Sequence, residues 1–212
     1  MYISLGNKNI YVKVIHKNNR NLYFRFDENL NLVVTCPKNT HDDEIAKLIE
    51  KNTDALLKMY NKASEKKEYD SQFWLLGKKY NIILDESIEE VKIENDIIRV
   101  KDENHLEKYI EEKIIESFTK EADICAQCFY NLPEYKLKFR KMKTRWGVCN
   151  RRNNTITLNT ELIKKDERLV DYVIIHEMAH FYEGNHSKAF WDIVSKACPD
   201  YKKRRAELKK WK

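Results

Sequence analysis

Glycine and proline are scarce in this chain, with 4 and 3 copies among 212 residues. That scarcity excludes collagen-like and low-complexity architectures, which are rich in one or both. Long hydrophobic runs are missing as well. No stretch approaches the ~18–20 apolar residues that span a bilayer, so no membrane segment is expected. The start, Met1-Tyr2-Ile3-Ser4-Leu5-Gly6-Asn7-Lys8, lacks the basic and then apolar pattern of a signal peptide, and a cytoplasmic location is expected. The cysteines number five, an odd count. No second CxxC accompanies Cys125 and Cys128, so a four-cysteine zinc site is not supported. Cys36, Cys125, Cys128, Cys149 and Cys198 read instead as free thiols in core or half-buried positions. No internal repeat is visible.

Apolar side chains, by contrast, make up 42% of the residues, enough for a sizeable core. Charge is divided unevenly. The net +6 arises from −5 over residues 1–135 and +11 over residues 136–212. A solvated surface is the default reading of such a balance; the sharper one is an anionic substrate or a nucleic acid beside the later half.

The pattern of elements is α+β. Ile10–Ile15, Leu22–Phe26 and Leu32–Cys36 read as strands, and an apolar stripe predicts one helix over Asp42–Lys62. Two hairpins follow: Phe73–Leu76 with Lys79–Leu84, and Val91–Ile93 with Ile97–Val100. A long amphipathic helix is expected from His105 to Phe129, stopped by Pro133. Strands over Tyr135–Arg140 and Thr155–Asn159 come next. A helix capped by Asp166 is expected to run to Gly184, then Lys188–Ala197 capped by Ser187, then a basic helix Tyr201–Lys212. This divides the chain into a β-rich N-terminal region, 1–102, that contains a helix, and a catalytic domain, 103–212.

The chemistry lies in His176-Glu177-Met178-Ala179-His180, with His186 beyond. On a helix His176 and His180 share one face, one turn apart. That spacing suits two ligands of a zinc ion, and Glu177 is placed to accept a proton from zinc-bound water. The preceding Leu169–Ile175 run is apolar almost all round, as in a buried helix. Burying two imidazoles and a carboxylate without partners is costly, and a metal removes that cost. His186 is the choice for a third ligand, because Gly184 lets the chain turn left-handed and double back. Glu207, Asp192 and Asp200 are the other candidates. Arg145, Tyr182 and Asn159 are candidates to stabilise the developing oxyanion and contact substrate.

Taken together, Arg145-Trp146-Gly147-Val148-Cys149, Ile156–Asn159, Tyr172–His180, Asn185-His186-Ser187, Phe190-Trp191 and Cys198–Tyr201 resemble the YgjP-like metallopeptidase domain, akin to the SprT-like and WLM-type zincins. The resemblance implies a zincin-like catalytic domain with His176, His180 and His186 as zinc ligands and Glu177 as general base. It also implies a strand beside the active-site helix, which Thr155–Asn159 fits as the edge that pairs with an extended peptide. Val148 departs from the family's frequent serine and removes a hydroxyl. Metzincins also share the spacing of the three histidines, but they place a glycine where Glu183 stands and need a later methionine, and none follows Met178. Gluzincins need a downstream glutamate ligand, for which only Glu207 is available after Gly184.

Three activities therefore stand. The first is a zinc-dependent metallopeptidase acting on peptides or proteins. The second is a nucleotide pyrophosphatase acting on UTP, an activity ascribed to some members, with Lys136, Lys138, Arg140, Lys143 and Arg145 meeting the phosphates. The third is a nucleic-acid-associated protease, with Lys202, Lys203, Arg204, Arg205, Lys209, Lys210 and Lys212 as the grip.

Overall fold

The computed structural model describes residues 1–211, which fall into two compact units, Met1–Ser71 and residues 72 onward. The expected division after residue 102 falls inside the second unit. The reason is packing: Leu75, Ile98 and Val100, from the hairpin region, share one core with Phe118, Ile174 and Phe190.

In the first unit, β1 (Tyr2–Leu5), β2 (Lys8–Lys17), β3 (Tyr23–Phe26) and β4 (Leu32–Pro37) form a sheet in the order β1-β2-β4-β3. The central pair β2 and β4 is parallel, and both outer pairs are antiparallel. Helices α1 (Asp42–Lys51) and α2 (Thr53–Asp70) follow. Ile45, Ile49 and Leu56 join Leu5, Val12, Leu32 and Val34 in the core. The single helix expected here is broken at Asn52, which has φ −108°. Its Nδ2 donates to the Leu48 carbonyl at 2.7 Å, and Thr53 Oγ1 donates to the Glu50 carbonyl at 2.8 Å. Short polar side chains that bond preceding carbonyls compete with the helical ladder, which the apolar stripe does not reveal.

The second unit opens with β5 (Phe73–Leu75), β6 (Lys78–Leu84), β7 (Lys92–Glu94) and β8 (Ile97–Val100), in the order β5-β6-β8-β7. Again the central pair is parallel and the flanking pairs antiparallel. A helix follows, α3 (Glu103–Ala126), whose N-terminus is capped by Asp102 accepting from the His105 amide at 2.8 Å. The strand plan of the first unit thus recurs in the second without any repeat in sequence.

The third sheet, β9 (Lys136–Arg140), β10 (Gly147–Asn150) and β11 (Thr155–Asn159), has the order β10-β11-β9. This places β11 in the middle, hydrogen-bonded on both sides, so it is not the free edge expected from its sequence. Its Ile156 and Leu158 are fully buried. The edge strand on the side of the histidine helix is β10. A 3-10 turn (Thr160–Lys164) leads to α4 (Glu167–Ala179), followed by α5 (Lys188–Ala197) and α6 (Tyr201–Lys209). The last residue of the basic helix expected over Tyr201–Lys212 lies outside the described residues. The fold is therefore α+β, with three small sheets and six helices among the described residues. No helix among them is long and apolar enough to cross a membrane. All five cysteines are free thiols; Cys128 is exposed, contrary to expectation, because it lies beyond the end of α3.

Candidate metal centre

Helix α4 is the centrepiece. Asp166 Oδ1 accepts from the Arg168 amide at 3.1 Å and caps its start, as its position before the apolar run predicts. Leu169, Val170, Val173, Ile174 and Met178 are buried, so this helix is packed on nearly every face. It ends earlier than expected. His180 is the C-terminal cap, and the Glu183 amide already turns back to the Ala179 carbonyl at 3.1 Å. Gly184 is not the left-handed stop, since its φ is not positive. A Cβ there would stand 2.9 Å from Arg151 Nη1, a contact that the flexible, exposed arginine can relieve by moving. Three residues later, Ser187 Oγ accepts from the Phe190 amide at 3.3 Å and starts α5, which returns His186 toward α4.

One ring nitrogen of each of His176, His180 and His186 lies within 4.8 Å of the others, and the Nε2 atoms of His176 and His186 are 3.0 Å apart. No other trio of His, Cys, Asp or Glu side chains converges in this way among the described residues. His180 Nδ1 lies 3.1 Å from the Glu183 carbonyl. A carbonyl can only accept, so the ring carries its proton on Nδ1 and its Nε2 lone pair is free to bind a cation. Burial lowers the His180 pKa, and the nearby His186 and Arg151 lower it further, all favouring the neutral ring that a metal needs.

Behind the trio stands Phe190, fully buried, its ring centroid 4.9, 4.6 and 4.8 Å from those of His176, His180 and His186. Trp191 stacks on His186 at 5.6 Å and 21° and on Tyr201 at 5.1 Å and 14°. The rings are therefore held by packing before any ion arrives. Nitrogens that share a tetrahedral zinc ion sit roughly 3.3 Å apart, given Zn–N bonds of about 2.0–2.1 Å. One pair of the three stands near that spacing and all three lie within 4.8 Å, with one tautomer set, so the trio fits a shared metal ion.

The trio opens onto a cavity of about 590 Å³ that Glu177 also lines. Glu177 is only 5% exposed and lies against β10: a Cβ on Gly147 would meet its Cγ at 2.6 Å and its Oε1 at 2.7 Å. Gly147 thus has a role that the spacing of the histidines could not disclose. Cys149, two residues on, lines the same cavity, but burial and the Glu177 charge push its thiol up to about 11, so it stays protonated. A protonated thiol is a poor ligand and a poor nucleophile.

The three candidate substrate contacts separate. Arg145 lines the cavity. Asn159 does not. It is 3% exposed; its Nδ2 donates to the carbonyls of Met142 and Arg145, both at 2.8 Å, while its Oδ1 accepts from the amides of Met142 and Glu161. Asn159 therefore ties down the segment that carries Arg145. Tyr182 does not reach the cavity either: its hydroxyl donates to the Tyr130 carbonyl at 2.7 Å, and its ring stacks on Phe129.

The rival ligands are engaged elsewhere. Glu207 accepts twice from Arg168 Nη2, at 2.7 and 2.6 Å, and Asp200 lies 2.8 Å from Arg204 Nε. Asp192 lies on α5 outside the trio. Arg204, from the basic run, is likewise spent inward, with Asp171 a second partner at 3.7 Å.

Comparison with known proteins adds the following. No curated protein matches the chain. Among solved structures, the metallopeptidase zymogen of Pyrococcus abyssi abylysin is similar at 23% identity and a TM-score of 0.41, covering 43% of this chain and 90% of that one. The metallopeptidase zymogen of Methanocaldococcus jannaschii jannalysin is similar at 18% identity and a TM-score of 0.39, covering 43% and 87%. The family model for the YgjP-like, metallopeptidase domain matches residues 20–211. The chain belongs to the YgjP-like metallopeptidase family.

Proposed function

We propose that this protein is a zinc-dependent peptidase with a zincin-like catalytic domain, whose ligands are His176, His180 and His186 and whose general base is Glu177. The observation that carries the reading is the convergence of three imidazoles beside one buried carboxylate in a single cavity. Zinc, when bound, supplies Lewis acidity and makes a water proton easier to remove near neutral pH. The chain's own groups do the remainder. Glu177 takes the proton from the attacking water and delivers it to the departing amine. Gly147 lets the carboxylate lie flush with β10 and fixes its direction. The free edge of β10 is suited to pair with an extended peptide, in place of β11, and Arg145, which lines the cavity, is the candidate to meet the polarised carbonyl oxygen.

Metal analysis of the purified protein beside His180→Ala tests the ligand set, with near-stoichiometric zinc expected in the first and little in the second. Cleavage of an unfolded protein by the zinc-loaded chain, abolished by Glu177→Gln at unchanged zinc content, tests the base. Full zinc retention in His180→Ala, or undiminished cleavage by Glu177→Gln, would overturn the assignment.

A further inference from the structure

Four cations line the cavity: Arg145, Arg151, Arg205 and Lys209. Its one acidic side chain is Glu177, which the proposed chemistry occupies. None of the four cations enters an ion pair among the described residues, whereas Arg168 and Arg204 nearby are both paired. Unspent guanidiniums around a reaction site are available to a substrate.

One of them is packed against an aromatic ring of the same lining. Arg205 lies over the Trp191 ring, its Cζ 4.8 Å from the centroid, and Trp191 in turn stacks on His186. Arg151 lies over Gly184, where a Cβ would meet its Nη1 at 2.9 Å. Both guanidiniums line the cavity that holds the trio. Cations spread along the lining suit an extended chain that carries acidic side chains.

Resting on the peptidase reading, we propose that the site selects peptides bearing Asp or Glu beside the scissile bond, with Arg151 and Arg205 as the cations that meet the carboxylates. Both contacts are of the fork-to-carboxylate type, which is directional as well as electrostatic.

Two fluorescein-labelled peptides test this, identical except that Glu flanks the central bond in one and Gln in the other. Binding is read by anisotropy with Glu177→Gln protein, metal-free and zinc-loaded, and cleavage with the zinc-loaded wild-type chain. The Glu peptide is expected to bind and to be cut about tenfold better. That ratio should shrink in Arg151→Gln and in Arg205→Gln, and should fall as salt is raised. Equal binding of the two peptides, or a ratio untouched in both arginine variants, overturns the proposal. So does a nucleoside triphosphate that binds through Arg151 and Arg205 while the two peptides bind alike. Failure of the peptidase reading looks different: neither peptide is cut, yet the Glu peptide still binds with its preference. Thermal melts of both variants establish that the fold is intact.

Discussion

Glu177 and Gly147 touch without room for a single added carbon between them. Gly147 opens β10, opposite Leu158 of β11, so the strand cannot retreat without breaking its ladder. Gly147→Ala must therefore turn the carboxylate. A misplacement of this size costs on the order of 100-fold in turnover. The atoms nearest the added carbon all belong to Glu177 and none to the imidazoles, so zinc content should be unchanged. In a Glu177→Gln background the same change should cost little more. Turnover and bound zinc, measured together, check this.

Phe190 supports all three histidines at once. Phe190→Ala should destabilise the second unit by about 3–5 kcal/mol, the usual cost of removing a buried aromatic ring. It should also weaken zinc binding, since the rings lose their shared backing. Chemical denaturation and competition with a metal chelator give the two readings.

Asn159 provides a different test. Its amide group holds the 142–145 segment by three hydrogen bonds and accepts a fourth from the Glu161 amide. Asn159→Ala should cost about 2–4 kcal/mol, because buried carbonyls and amides lose their partner. Activity should fall through a raised KM more than a lowered kcat if its effect passes through Arg145. A lost kcat at unchanged stability would instead mark Asn159 as a direct participant.

The acid Asp171 has its pKa raised to about 7, chiefly by burial and then by a hydrogen bond to Glu121 and that neighbour's charge, with Arg204 opposing. An acid whose folded pKa exceeds its unfolded value contributes stability that is present at low pH and lost as pH rises. The loss falls between the ordinary carboxyl range and about pH 7. Asp171→Asn should therefore flatten the pH dependence of stability in that window, and denaturant midpoints at pH 5 and pH 8 should lie closer together than in the wild-type protein.

Helix α4 and its trio were legible because burial and function leave separate marks on one helix. Leu169–Ile175 is too apolar for a surface helix, and His176 and His180 interrupt it one turn apart. Strand β10 was not legible, since Gly147-Val148-Cys149-Asn150 is short and opens on a residue with poor strand propensity. Its glycine answers to a side chain thirty positions away. Asn159, a polar residue beside the site, suggests a substrate contact; three of its four bonds instead reach backbone groups of Met142 and Arg145, which sequence cannot show meeting it. Gly184, just past the helix, suggests a left-handed turn, the commonest need for glycine, but its φ is not positive. Arg205 lay hidden in a basic helix, where only its packing on Trp191 sets it apart.

All the residues that surround the three imidazoles belong to the second unit. The leading unit repeats a strand plan found there yet contributes no lining side chain to this cavity. Descendants of such a chain are free to redraw or trade their opening seventy or so residues while inheriting the hydrolytic apparatus unaltered, so relatives with unlike beginnings should still share one chemistry.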